Sequence, residues 1–185
     1  MQDDPVHQTL RKIAARLDEL GIAYAVAGGM ALGAHRFVRA TVDVDILVSQ
    51  QGLEKIHATL EGRGFVPPFP GSRNLKDVET GVRIEFLVQG QFPGDGTPKP
   101  VSFPDPSQAA ETINHVRYVR LPVLIELKLA SGMTNAGRLR DLADVQELIR
   151  VRALPQDFAQ ELNPFVRGTF DELWQGVAAN PEREE

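Results

Sequence analysis

"VAGGMALGAHRFVRATVDVDILV", residues 26–48, runs an apolar segment into two adjacent glycines, continues as a short helix-like stretch, and then sets two aspartates into an apolar strand. Side chains alternate across a strand, so Asp43, Asp45 and Leu47 share one side while Val42, Val44, Ile46 and Val48 share the other. The apolar side packs. The acidic side has to open to solvent or meet a cation, because a carboxylate buried without a partner is strongly disfavoured. Same-side neighbours lie about 6.5 to 7 Å apart on a strand, close enough for two carboxylates to reach ions held between them. The plain alternative is a loop-end pair that is solvated or bridged to Arg36 and Arg39.

The pattern repeats further along. In "VRIEFLV" (82–88), Val82, Ile84, Phe86 and Val88 form a packing side, with Arg83, Glu85 and Leu87 opposite. "EFLV" (85–88) thus echoes "DILV" (45–48), and if the two strands are neighbours, Asp43, Asp45 and Glu85 converge. Three oxygen-bearing acids on one open face suit a hard divalent cation such as Mg²⁺, while Arg83 offers the competing ion-pair network. Ahead of the first acidic strand, Gly28-Gly29 joins a strand to a helix. Free backbone N–H groups and the positive helix end then lie at one spot, which favours phosphate, although a tight turn alone also explains two glycines.

Elsewhere the chain reads as helix, strand, helix, strand. Asp3 or Asp4 with Pro5 starts a first helix whose Leu10, Ile13, Ala14, Leu17 and Leu20 recur at helical spacing until Gly21. Strands are expected at 23–27 and 41–48, a short helix at 30–37, another through Leu53, Ile56 and Leu60, and a hairpin over 73–88 turning at Gly81. Residues 89–108 are rich in proline and glycine and read as a long loop, acting as a lid or lying disordered. A strand at 115–119, an apolar helix from Pro122, a helix over 138–152 and an amphipathic helical tail from Gln156 to Ala179 follow. In the apolar helix, Lys128 closes a stripe with Leu121, Leu124 and Ile125 and needs an anion: Asp141 or Asp144 of the next helix, or a nucleotide triphosphate. Residues 1–150 are expected to form the main domain and 151–185 a helical extension of it.

Composition narrows the classes. The chain has 185 residues and no cysteine, so disulfides, thiolate ligands and cysteine nucleophiles are excluded. No apolar stretch approaches the roughly 18 residues of a membrane span, and the acidic N-terminus is unlike a secretory signal, so a cytoplasmic protein is expected. A net charge of −5 gives no general attraction to polyanions.

Taken together, apolar-Gly-Gly, a spacer from Met30 to Val42 and Asp-Val-Asp-Ile resemble the motif of the DNA polymerase β nucleotidyltransferase superfamily. The later "LIELKLAS" and "RLRDLADVQELI", with Arg39 and Thr41 in an "R-x-T-x-D-x-D" arrangement, look like the AbiEii-type and related minimal nucleotidyltransferases, over roughly residues 20–150. One departure is Gly29, where many superfamily members carry a hydroxyl. The resemblance implies an α+β (α/β) nucleotidyltransferase-like fold, a mixed β-sheet flanked by helices with a C-terminal helical extension. It further implies transfer of a nucleoside monophosphate from an NTP to a hydroxyl, with pyrophosphate released. Asp43, Asp45 and Glu85 would be the catalytic and metal-holding acids, for two Mg²⁺ ions or Mn²⁺ in their place; Gly28, Gly29, Arg39, Thr41 and Lys128 would hold the nucleotide. The acceptor is left open among a small molecule, an RNA end and a protein, and the chain as monomer or homodimer. Two other classes compete: an inactive nucleotide- or protein-binding module of antitoxin or regulatory type, and a metal-dependent phosphohydrolase.

Overall fold

The computed structural model describes residues 4–181; Asp3, the other candidate start of the first helix, lies outside them. Helix α1 (Pro5–Glu19) is capped by Asp4, whose carboxylate accepts the His7 backbone N–H at 3.0 Å, with Pro5 in the first turn where its missing N–H costs nothing. Strand β1 (Ala25–Ala27) leads directly into α2 (Gly28–Ala34), and β2 (Asp43–Val48) into α3 (Gln50–Leu60), whose N-cap Ser49 accepts from Gly52 N at 2.9 Å. Next come β3 (Phe65–Val66), β4 (Leu75–Asp77), β5 (Arg83–Val88), α4 (Pro106–Ala109), β6 (Ala110–Ile113) and β7 (Val116–Val119). Helices α5 (Leu121–Thr134), α6 (Leu139–Val151) and α7 (Pro164–Ala179) complete the chain.

Two compact units result, one comprising residues up to Ala34 with Val38–Gly90 and Pro104–Val119, the other His35–Phe37, Gln91–Phe103 and the chain from Arg120 onward. Residue 150, where the sequence divides domain from extension, falls inside α6. The first unit carries a seven-stranded mixed sheet in the order β3-β4-β5-β2-β1-β7-β6. Strand β2 runs parallel to β5 and antiparallel to β1. Leu10, Ile13 and Leu17 of α1 and Leu53, Ile56 and Leu60 of α3 form one core with Val44, Ile46 and Val48 of β2 and Ile84, Phe86 and Val88 of β5. Each such side chain contributes about 2 kcal/mol on burial, so one face of the sheet is firmly committed to packing. This is the α+β architecture expected, with β3 and β6 as additional edge strands.

In the second unit, α5 packs against both α6 and α7. Leu121, Leu124, Ile125, Leu127, Leu129 and Ala130 are buried, so burial extends around more of the helix than the stripe ending at Lys128, while Met133 is exposed. The segment 91–103 is ordered. Lys99 Nζ donates to the carbonyls of Pro93 and Thr97 at 2.7 Å each and to Asp95 Oδ1 at 2.8 Å, above the Phe92 ring. Gly94, at φ +74°, lies so close to α5 that a Cβ there would meet Thr134 Oγ1 at 2.2 Å. Among the described residues, no helix is long and apolar enough to cross a membrane.

Candidate active site

Strand alternation leaves Asp43 and Asp45 half-buried on the side of β2 opposite the core, while Val44 and Ile46 are fully buried. Pairing with β5 is in register: Asp43 lies opposite Arg83, Asp45 opposite Glu85, Leu47 opposite Leu87. In a parallel pair, residues in register point the same way, so all three carboxylates leave the sheet from one face, with adjacent strands about 4.8 Å apart.

The glycine turn meets this face. Gly28 has φ +60°, and a Cβ there would stand 1.9 Å from Asp45 Oδ2, so the position needs glycine for its backbone and again for space. Gly29 has no such backbone demand. A Cβ on it would meet Thr41 Oγ1 at 2.6 Å, so its requirement is steric alone. The two glycines therefore seat two different side chains, one from the acidic strand and one from the segment before it. Thr41 Oγ1 donates to the Asp43 carbonyl at 3.4 Å, and Arg39 Nη1 to the Ala40 carbonyl at 3.2 Å.

The three acids expected to hold the metal share one face of the β2–β5 pair. Among the described residues, no three Asp, Glu, His or Cys side chains form a group able to hold a metal as they stand. The backbone register brings the acids to one face, but the side chains turn to separate neighbours: Asp45 rests on Gly28, and Glu85 Oε1 stands 3.9 Å from Arg83 Nη2. Like charges without a cation between them repel. The donors remain all oxygen. That suits a hard divalent cation, which for Mg²⁺ takes one or two carboxylates and completes its shell with water and phosphate.

Lys128 belongs to the second unit. Its Nζ donates to Asp141 Oδ1 and Asp144 Oδ2, both at 2.9 Å, inside the α5–α6 pair of the second unit. Ser131 Oγ and Arg138 Nε add donors to Asp141 at 2.7 and 3.0 Å. Burial raises the Asp141 pKa, but the Lys128 charge and these hydrogen bonds outweigh it and hold the carboxyl below its ordinary value. This is the helix-to-helix ion pair that the sequence also allows.

Ahead of β2, Val38 and Val42 are exposed while Arg39, Thr41 and Asp43 are half-buried, so Val42 leaves the packing side expected for it, and that side is buried only from Val44 onward.

The family model for aminoglycoside-2''-adenylyltransferases matches residues 9–106, more than half of the chain. Among solved structures, ANT(2'')-Ia in complex with adenylyl-2''-tobramycin is similar at TM-score 0.58 and 13% identity, over 89% of this chain and 96% of that one. An antigenic nucleotidyltransferase-like protein from Paracoccidioides brasiliensis gives TM-score 0.59 at 17% identity, over 96% and 90%. A candidate nucleotidyltransferase from Thermotoga maritima gives 0.51 at 16%, over 77% and 91%. No curated protein matches the sequence.

Proposed function

The chain belongs to the aminoglycoside-2''-adenylyltransferase family, and from that premise we propose that it transfers a nucleoside monophosphate from an NTP to a hydroxyl of a small molecule, releasing pyrophosphate. The observation that carries this reading is the in-register placement of Asp45 beside Glu85, with Asp43 on the same face and Gly28 seated against Asp45. In the reaction the acceptor oxygen bonds to the α-phosphorus, the bond to the bridging α–β oxygen breaks, and its electron pair leaves with pyrophosphate. Glu85 takes the hydroxyl proton. Asp43 and Asp45 would hold Mg²⁺, which when bound neutralises phosphate charge and favours the leaving group. The backbone N–H groups at Gly28 and Gly29 would receive the phosphate tail, and Arg39 would offset negative charge as pyrophosphate forms. Lys128 enters as support for α5 through its own carboxylates, not as a phosphate ligand. A net charge of −5 favours a cationic amino-alcohol as acceptor over a nucleic acid.

The test is incubation with each α-labelled NTP, Mg²⁺ and tobramycin or another amino-sugar, following label transfer and pyrophosphate. Transfer in the wild type and none in Asp43→Asn or Asp45→Asn supports the reading; inorganic phosphate in place of pyrophosphate would assign a phosphohydrolase. The pairing of Glu85 with Arg83 favours one second reading, a module that binds NTP without turnover. Mg²⁺-dependent NTP binding with no product of either kind would select it.

A further inference from the structure

Gly29 and Thr41 form a contact that the transfer chemistry does not itself require. The ideal Cβ position of Gly29 lies 2.6 Å from Thr41 Oγ1 and 2.9 Å from Thr41 Cβ, so the threonine side chain fills the space that the glycine leaves. Gly29 does not have positive φ, and this packing is what its lack of a side chain serves. Thr41 lies two residues from Arg39 and two from Asp43, all three half-buried. The opposite side of the same segment has little to hold it, since Val38 is 83% and Val42 75% exposed. The segment is therefore seated from the inner side, where Thr41 meets the glycine turn.

We propose that Thr41 is a positioning residue: a wedge whose fit against Gly29 sets the spacing between the glycine turn and the segment bearing Arg39, Asp43 and Asp45. The proposal rests on the nucleotidyltransferase reading. It makes shape the requirement at residue 41, with the hydroxyl secondary, because the bond to the Asp43 carbonyl is long at 3.4 Å.

A size-exchange experiment on the full chain tests it, with Mg²⁺-ATP affinity by calorimetry, label transfer from α-labelled ATP and thermal unfolding measured in parallel. Gly29→Ala is expected to weaken Mg²⁺-ATP binding about tenfold or more. Thr41→Gly should weaken it several-fold, and the double variant should regain most of what Gly29→Ala loses, because the new methyl enters the vacated space. Thr41→Val, which keeps the shape, should bind nearly as well as the wild type. All variants are compared below their unfolding temperatures. Should Gly29→Ala fail to fold, Thr41→Gly against Thr41→Val still decides: equal loss in both, or loss in neither, overturns the wedge. Wild-type affinity in Gly29→Ala, or a double variant no better than it, also overturns the wedge while leaving the transfer reading intact. A wild type that binds no NTP removes both.

Discussion

Aspartates in this protein live in two kinds of surroundings. Asp77, in β4, is fully buried and ringed by donors: Lys12 Nζ at 2.8 Å, Thr9 Oγ1 at 2.9 Å and the Glu79 N–H at 3.0 Å. Asp141 is closed in the same way by Lys128, Ser131 and Arg138. On the β2–β5 face, by contrast, Asp43 and Glu85 remain partly exposed, and Asp45 lies against a glycine turn. The closed carboxylates have their cation built into the chain, and removing it would strand a buried charge. The open ones are held at strand spacing by the backbone, and the protein spends packing on one face of the strands in order to present acids on the other. The two settings differ in burial: Asp77 and Asp141 are enclosed by short hydrogen bonds, whereas Asp43, Asp45 and Glu85 share a half-exposed face of the sheet.

The sharpest way to break this contrast is Asp45→Asn, which keeps the shape against Gly28 and removes the charge. Nucleotide transfer should fall about a hundred- to a thousandfold, with the unfolding temperature unchanged or slightly raised as repulsion on the strand is relieved. An equal fall in stability would make Asp45 another closed carboxylate. Lys128→Met should do the reverse. Leaving Asp141 and Asp144 without their buried lysine should cost about 3 to 5 kcal/mol in urea unfolding, while the folded fraction keeps its Mg²⁺-NTP affinity; a selective loss of affinity would return Lys128 to the nucleotide.

Acid sensitivity comes next in size. Burial raises the Asp77 pKa, but Lys12 and the hydrogen bonds of Glu79 and Thr9 overcome it, so the folded-state value lies below the ordinary 3.8; Asp141 is also lowered. A carboxyl depressed in the folded state stabilises fully above its unfolded pKa, and that contribution disappears as pH drops through the folded one. Stability should therefore hold above pH 4 and decline below it, and Asp77→Asn should flatten the decline measured by urea unfolding. The smallest effect is expected from Lys99→Met. The loop over 91–103 should lose protection against limited proteolysis, and Asp95, held at about 2 by hydrogen bonds from Lys99 and Thr97, should titrate closer to its ordinary range by NMR.

Much of the fold was legible because local periodicity survives tertiary packing. The stripe Leu10, Ile13, Leu17 marks α1, and the alternation in "RIEFLV" separates a buried from a more open side of β5; in β2 it holds from Asp43 to Ile46, but Leu47 on the acidic side is fully buried and Val42, ahead of the strand on the apolar side, is exposed. The short helix begins two residues earlier than expected, at Gly28, since that glycine itself turns the chain, and ends before Arg36, whose φ of +77° breaks it. Strands β3 and β6 were not anticipated. They have two and four residues, no apolar alternation, and exist because a neighbouring strand offers hydrogen bonds. The proline-rich stretch reads as irregular from composition, but its order depends on one ammonium gathering three acceptors, which composition does not reveal.

By itself the sequence determined which residues face together along each strand and helix, and that two glycines precede an acid-bearing strand, because these follow from periods of two and 3.6 and from the conformational freedom of glycine. Only the tertiary structure decided that Asp45 sits opposite Glu85, that Lys128 belongs to Asp141 and Asp144, and that Thr41 fills the space at Gly29. Those pairings join segments separated along the chain by a dozen to forty residues, and their distances are set by the packing of the whole sheet and helix pair, not by any local preference.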